Sequence, residues 1–173
     1  LIGALLSSVA AGGSVVCSDA FDADRFLDSL DRHRPTWYTA VPTIHQAILG
    51  SAAKNPEKAS RHCLRFIRSS SSALPPTVMA DLERMFEVPV VESYGMTEAS
   101  HQMSSNPLPP AVRKPGSVGV PAGPEMAIMN GNGELLPAGE TGEIVIRGPS
   151  VTSGYAHNPE ANQAAFVNGW FLT

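Results

Sequence analysis

VVESYGMTEASHQMSSNP occupies residues 90–107, where an apolar run ends at Tyr94-Gly95 and a hydroxyl, a carboxylate and an imidazole follow within eight residues. A strand that ends at this Tyr-Gly turn would place Thr97, Glu98 and His101 at the carboxyl edge of a sheet, where ligands bind in open α/β folds. Thr97 can donate to a phosphoryl oxygen, and the Glu98 carboxylate is a suitable ligand for Mg²⁺. The stretch therefore predicts a phosphate and metal site, and the competing interpretation is a solvated turn.

Outward from this stretch, the residues before 107 alternate between strand-like and helix-like patterns. The strand-like runs are too apolar to have a solvated face, which indicates a parallel sheet with helices on both faces. The predicted helices are a buried one over Leu1–Ala11 that ends at Gly12-Gly13, one capped by Asp22, one opened by Pro42 and one opened at Pro75-Pro76. The predicted strands are Ser14–Cys17, Thr36–Val41, Leu64–Ile67 and Val88–Val91.

After residue 106 the composition changes, and Pro and Gly punctuate the chain from Pro107 to Pro124. This indicates a linker into a second, β-rich subdomain. Residues 130–133, Asn-Gly-Asn-Gly, predict a hairpin turn between two strands, and Gly142–Arg147 alternates as a further strand. A helix from Pro159 to about Phe166 and an aromatic turn at Gly169-Trp170-Phe171 are expected to follow. The expected subdomains are an α/β part, residues 1–106, and a small antiparallel β part, residues 107–173.

A run of four serines, Ser69–Ser72, follows one predicted strand just as Tyr94-Gly95 follows the next. Because parallel strands end at the same edge of a sheet, we expect these two loops to meet there. Backbone N–H groups at the start of the following helix would add capacity to bind an anion. The alternative is that the serines only cap this helix.

Composition limits the possible partners. A net charge of -4 and only 12 Lys and Arg residues argue against nucleic acid as a main partner. Cys17 and Cys63 are too few for a disulfide framework, which favours a reducing, intracellular compartment. The apolar opening of the chain is interrupted by Gly12-Gly13 well short of a spanning length, so no membrane span is expected. The sequence does not indicate an oligomeric state.

The chain resembles the adenylate-forming acyl-CoA synthetases through SYGMTE at residues 93–98. Its next residues, ASHQMSSNPLPP and RKPGSVGVPAG, are similar to the oxalate-CoA ligase branch of that family. The resemblance covers essentially the whole chain, because other family-like segments occur in the family's order: WYTAVPTIHQ, the serine run before LPP, GEIVIRG, SGYAHNPEAN and GWFLT. It implies the amino-terminal AMP-binding domain of an enzyme that converts a carboxylate and ATP to an acyl-adenylate and then to a thioester of CoA.

The resemblance also implies roles for individual residues. Thr97 is expected to bind the α-phosphate and Glu98 to hold Mg²⁺, and both are expected to be catalytic. The residues expected at ATP or AMP are Ser72, Ala73, Glu92, Ser93, Tyr94, Gly95, Met96 and Thr97. The residues expected at the acid, a small one such as oxalate, are Ser71, Ala73 and His101. A cytoplasmic or peroxisomal enzyme with CoA as co-substrate is implied.

The same resemblance implies that the chain is incomplete. The family's phosphate loop, its ribose-binding Asp and its carboxy-terminal domain with a catalytic Lys are not found among these residues, so the chain alone is expected to be inactive. Two alternatives stay open. The first is a fatty-acyl, aryl-acid or amino-acid-activating enzyme, although Ser100-His101-Gln102 are polar where a long apolar acid needs small apolar residues. The second is a non-catalytic α/β module that binds a ligand.

Overall fold

The computed structural model describes residues 2–18 and 20–173. Their contacts form two compact units. The first unit contains the described residues up to Tyr94 together with Ser105–Val120, and the second contains Gly95–Ser104 together with Pro121–Thr173. The subdomain boundary expected between residues 106 and 107 stays a prediction.

The first described residues are helical. A π-helical turn, Ile2–Leu6, continues into α1, Ser7–Ala10. The predicted helix end at Gly12-Gly13 is confirmed. The Gly12 N–H donates to the Val9 carbonyl and the Gly13 N–H to the Ser8 carbonyl, which closes the last turn. Leu1, where this helix was predicted to begin, lies outside the described residues.

Two expectations for this opening segment are wrong. The helix is not buried, since Ile2, Leu6 and Val9 are exposed and no described part of the chain covers them. The strand predicted at Ser14–Cys17 is irregular and exposed. A short apolar run forms a stable strand only where other strands are available to pair with it.

The next helices begin where their capping residues predict. Asp22 precedes α2, Ala23–His33, and its Oδ1 accepts a hydrogen bond from the Arg25 N–H at 2.8 Å. Pro42 is the first residue of α3, Pro42–Lys54, where its missing N–H has no intrahelical partner to lose. A short helix, α4, follows at Pro56–Ala59.

Three neighbouring strands of a five-stranded sheet run parallel. They are β1 at Trp37–Ala40, β2 at Phe66–Ser69 and β3 at Val90–Met96. Strand β2 pairs with both neighbours, in a register that sets Trp37 opposite Phe66 and Ile67 opposite Val90. Because pairing with β1 starts at Phe66, β2 lies two residues further along than the predicted Leu64–Ile67. The predicted parallel α/β sheet is confirmed.

Strand β3 is longer than predicted. We expected it to end in a turn at Tyr94-Gly95, but it continues through both residues to Met96, so this prediction is wrong. A Cβ atom added at Gly95 would lie 1.6 Å from the carbonyl oxygen of His101. Glycine is therefore needed for a close approach of two backbone segments, not for a turn.

Helix α5, Pro76–Phe86, begins at the predicted prolines. Its N-cap is Pro75 and it has no side-chain cap, so the alternative in which the serines cap this helix is wrong. The face it buries carries Met79, Leu82 and Phe86. The core of the first unit contains these residues and others from α2, α3 and the three strands: Leu27, Leu30, Tyr38, Ile48, Ala52, Ile67 and Val90.

The second unit contains a small antiparallel sheet, as predicted. Strands β4 at His101–Ser105 and β5 at Val120–Pro121 belong to the same five-stranded sheet as β1, β2 and β3. The strands of the antiparallel sheet are β6 at Glu125–Met129, β7 at Leu135–Leu136, β8 at Glu143–Arg147, β9 at Phe166–Val167 and β10 at Trp170–Leu172. The antiparallel order is β7-β6-β8-β10-β9. The predicted hairpin is confirmed, with Ile128 opposite Leu136.

Helix α6 occupies Pro159–Ala165 and ends one residue before the predicted Phe166. The aromatic turn predicted at Gly169-Trp170-Phe171 is wrong for its last two residues. Trp170 and Phe171 belong to β10, which pairs with β9, and both are buried. Trp170 packs in the core with Met129 and Val145, and the Phe171 ring contacts that of Phe166. Within residues 2–18 and 20–173, no helix combines the length and apolar character needed to cross a membrane.

Candidate functional site

The predicted site residues fall into two groups that meet in sequence at the peptide bond between Tyr94 and Gly95. The serine-loop half lies in the first unit and contains Ser71, Ser72, Ala73, Glu92, Ser93 and Tyr94. The threonine-glutamate half lies in the second unit and contains Gly95, Met96, Thr97, Glu98 and His101.

In the serine-loop half, the loop after β2 is fixed to β3. Ser69, the last residue of β2, is paired with Glu92. The Glu92 Oε1 atom accepts a hydrogen bond from the Leu74 N–H at 2.8 Å, and the Ser93 hydroxyl donates to the Ser69 carbonyl at 3.4 Å. The serine run therefore meets β3 at the carboxyl edge of the sheet, as the sequence predicts. Ser71, Ser72 and Ala73 are exposed there and accessible to a ligand.

At the end of β2 and in β3, two polar atoms are buried without a partner among the described residues. Glu92 is 5% exposed and Ser69 is 0% exposed. Among the residues that the structure describes, the Glu92 Oε2 atom and the Ser69 hydroxyl have no hydrogen-bond partner. A buried polar group left unpaired costs about 1–3 kcal/mol, so such groups are usually satisfied by water or a ligand. The Glu92 carboxylate in particular requires a donor.

The threonine-glutamate half is built on an unusual backbone. A 3-10 turn, Thr97–Ala99, follows β3. Ser100 and His101 then adopt positive φ angles of 54° and 94° before β4 continues. Left-handed conformations of residues other than glycine are costly and are concentrated at functional sites. Thr97 is exposed, and Glu98 and His101 are half-buried, so each can reach a ligand.

A distant segment, Ser150–Tyr155, holds this turn through three hydrogen bonds. The Ser100 hydroxyl donates to the Ser150 carbonyl at 2.9 Å. The Thr152 N–H donates to the Glu98 carbonyl at 2.6 Å. The Tyr155 hydroxyl donates to the Glu98 Oε1 atom at 2.9 Å. This last bond raises the pKa of the Tyr155 phenol above its usual value, because it favours the protonated form.

Sequence reasoning missed Tyr155. Its segment, SGYAHNPEAN, entered the sequence analysis only as a point of family resemblance. The tyrosine lies 57 residues from Glu98 in the chain, and no local pattern connects the two. An isolated Gly-Tyr pair in a polar stretch was the one available signal, and by itself it indicates a loop.

Glu98 suits a divalent cation. Its carboxylate bonds to Tyr155 through Oε1, and no other described residue bonds to the carboxylate, so Oε2 is open to a metal. Across the described parts of the chain, no three His, Cys, Asp or Glu side chains form a group that could hold a metal by themselves. Mg²⁺ is commonly bound through one or two carboxylates plus phosphate oxygens and water, so a single glutamate beside a nucleotide fits this ion.

In open α/β folds ligands bind at the carboxyl ends of the strands, and the hydroxyls and carboxylates found there in this chain have the chemistry to bind a polar or anionic ligand. Residues 1–156 match the model of the family described as AMP-binding enzyme. The chain belongs to this family, and the predicted resemblance is confirmed.

Within this family, the chain is similar to oxalate–CoA ligases. The chain is 52% identical to an oxalate–CoA ligase of Arabidopsis thaliana over 176 residues, which cover 100% of this chain and 34% of that enzyme. It is 48% identical to an oxalate–CoA ligase of Saccharomyces cerevisiae over 167 residues, which cover 96% of this chain and 30% of the enzyme. The chain thus spans about a third of the length of the curated relatives it matches.

The fold agrees with this family. The crystal structure of the ATP-bound RpMatB-BxBclM chimera B1 matches with a TM-score of 0.86 and 31% identity, over 99% of this chain and 34% of the chimera. The predicted fold class, a parallel α/β sheet followed by a small antiparallel β structure, is confirmed.

Proposed function

We propose that this chain is part of an ATP-dependent acid-CoA ligase that activates a small carboxylic acid, and that the acid is oxalate. The observation that carries the proposal is the 52% identity to an oxalate–CoA ligase across the whole chain. In the proposed reaction, a carboxylate oxygen attacks the α-phosphorus of ATP and the bond to pyrophosphate breaks. The sulfur of CoA then attacks the acyl carbon, AMP leaves, and the thiol proton is released.

The proposed nucleotide contacts in the threonine-glutamate half use Thr97 and Glu98. The Thr97 hydroxyl is exposed on the 3-10 turn and can donate to an oxygen of the α-phosphate. The Glu98 carboxylate would hold Mg²⁺ through the oxygen that Tyr155 does not use. When bound, Mg²⁺ would neutralise the negative charge that develops on the phosphoryl oxygens.

The proposed adenine contacts use the serine-loop half and the backbone of residues 93–96. The buried Glu92 Oε2 atom lacks a donor among the described residues, and an exocyclic amino group would supply one. The exposed Ser72 and Ala73 would lie beside the same base. This assignment is supported by the cost of leaving a buried carboxylate oxygen unpaired.

The proposed acid contacts are Ser71, Ala73 and His101. Oxalate keeps a second carboxylate when the first is activated, and burying that charge without donors would be very costly. The exposed Ser71 hydroxyl and the His101 imidazole are both able to donate to a carboxylate. This donor chemistry suits a small dianion better than a long apolar acid.

The test is ATP–pyrophosphate exchange by the full-length protein with a panel of acids, followed by thioester formation with CoA. We expect oxalate to support exchange better than medium-chain fatty acids or cinnamate-type acids. Preference for one of those acids would reject oxalate but keep the ligase. Tight ATP binding without exchange for any acid would instead support the non-catalytic module.

A further inference from the structure

We propose that Tyr155 is a positioning residue that orients the Glu98 carboxylate for a divalent cation bound with the nucleotide. This inference rests on the proposed function, in which Glu98 holds Mg²⁺. The Tyr155 hydroxyl donates to Oε1 at 2.9 Å, which leaves Oε2 for the cation. One carboxylate oxygen is therefore used for orientation and the other for ligation.

The chemistry of the partner supports this division. Within the described ranges, no Lys, Arg or His forms an ion pair with Glu98. A cationic partner would neutralise the carboxylate and compete with Mg²⁺, whereas a neutral phenol fixes its orientation and keeps its charge. Hydrogen-bond partners of metal ligands act in this way in many metal sites.

Tyr155 is itself held from two sides. Its N–H donates to the Asn162 Oδ1 atom at 2.6 Å, and the Asn162 Nδ2 group donates back to the Tyr155 carbonyl at 3.0 Å. The preceding Gly154 has a φ of 136°, and a Cβ atom there would lie 2.8 Å from Asn162 Oδ1. The Tyr155 ring packs near the buried Phe171, with 6.5 Å between ring centroids. The phenol is therefore carried by a fixed backbone on a supported ring.

The backbone of Glu98 is held by the same segment. Thr152 bonds to its carbonyl, so the Ser150–Tyr155 segment fixes both the main chain and the side chain of one residue. If Tyr155 served only to pack against Phe171, loss of its hydroxyl would leave cation binding unchanged. A positioning role predicts the opposite result.

The principal variant is Tyr155→Phe in the full-length protein, which keeps the ring and removes the hydroxyl. We expect the Mg²⁺ concentration for half-maximal pyrophosphate exchange to rise about tenfold. This is the lower end of the roughly 10–100-fold range for hydrogen-bond partners of metal ligands, because Tyr155 is exposed and water can replace its hydroxyl. The Michaelis constant for the acid should be unchanged. Mn²⁺ binding in the presence of α,β-methylene-ATP, measured by electron paramagnetic resonance, should weaken by a similar factor.

His157→Asn is the matched control. His157 lies two residues after Tyr155, is exposed, and has a φ of 55° that asparagine tolerates. It forms no hydrogen bond with the described site residues. Its Mg²⁺ and Mn²⁺ dependence should match the unmodified protein. Asn162→Ala, which loosens the Tyr155 backbone but retains its hydroxyl, should weaken Mn²⁺ binding in the same direction by a smaller factor.

A double variant tests whether Tyr155 acts through Glu98. In a Glu98→Gln background, Tyr155→Phe should weaken Mn²⁺ binding no further, since residues that act on one ligand are not additive. An unchanged Mn²⁺ affinity in Tyr155→Phe, or a full tenfold effect in the Glu98→Gln background, would overturn the inference. If the unmodified protein shows no exchange with any acid, the proposed enzyme fails, and the comparison of Mn²⁺ affinities still decides the role of Tyr155.

Discussion

Acidification is expected to destabilise the first unit through His45. This residue lies in α3, is 0% exposed and has its Nδ1 atom 3.4 Å from the Tyr38 hydroxyl. Burial lowers the pKa of His45 from 6.5 to about 4, and the carbonyls of Ala40 and Arg68 offset this only in part. The native unit therefore keeps His45 neutral at a pH where the unfolded chain protonates it.

The sign and size of the effect follow from these two pKa values. The stability contributed by neutral His45 is fully present above about pH 6.5 and is lost as the pH falls toward about 4. Since each pKa unit corresponds to 1.36 kcal/mol, the loss approaches about 3 kcal/mol below that range. Most of this loss is reached at about pH 4.5. It is a large fraction of the stability of a small domain.

The assay compares urea unfolding of the chain and of His45→Gln at about pH 7 and about pH 4.5. Glutamine is polar but does not titrate, so the variant should lose less stability on acidification than the unmodified chain, by about 2–3 kcal/mol. Carboxylates titrate equally in both proteins and cancel in the comparison. An NMR titration of the His45 ring protons gives the native pKa directly. Equal pH dependence in the two proteins, or a native pKa near 6.5, would refute the reasoning.

Three further predictions concern the site in the full-length protein. Gly95→Ala should abolish pyrophosphate exchange, because its Cβ would lie 1.6 Å from the His101 carbonyl oxygen. Gly131→Ala is the control and should be neutral, because no atom lies within 4 Å of a Cβ at Gly131. Equal exchange activity in the two variants would contradict the close approach at Gly95. Glu98→Gln should slow exchange by about two to three orders of magnitude, and an unchanged rate at saturating Mg²⁺ would reject Glu98 as the metal ligand. His101→Ala should raise the Michaelis constant for oxalate at least about tenfold and leave that for ATP nearly unchanged; a larger change for ATP would place His101 at the nucleotide.

Local chemistry explains why much of the fold could be predicted. Asp22 and Pro42 mark helix starts through interactions within a few residues, so the sequence carries the full signal. The Asn130–Gly133 turn is similar, because Asn130 accepts hydrogen bonds from the N–H groups of Asn132 and Glu134. The apolar strands indicated a parallel sheet because they lack a polar face.

The errors arose where a partner decides the structure. Val15 and Val16 have the composition of a strand, but a strand requires pairing that the described chain does not provide. The role of Gly95 was predicted wrongly for a similar reason. Turns and close backbone approaches both require glycine, and the sequence does not distinguish them. The distinction depends on the carbonyl of His101, whose position is set by two left-handed residues that no propensity predicts.

The candidate site also contains residues that local chemistry predicts and one residue that depends on a distant partner. Thr97 and Glu98 were found because hydroxyls and carboxylates after a strand have recognisable chemistry, although their roles stay predictions. Tyr155 was not found because its partner is 57 residues distant and because the pair is not complementary in charge. Ion pairs such as Lys58 with Asp28 at least carry opposite charges that a sequence displays. A neutral donor to a carboxylate carries no such signature, yet neutrality is the property that leaves Glu98 its charge for a cation. The feature that suits Tyr155 to its proposed role is thus the same feature that hides it in the sequence.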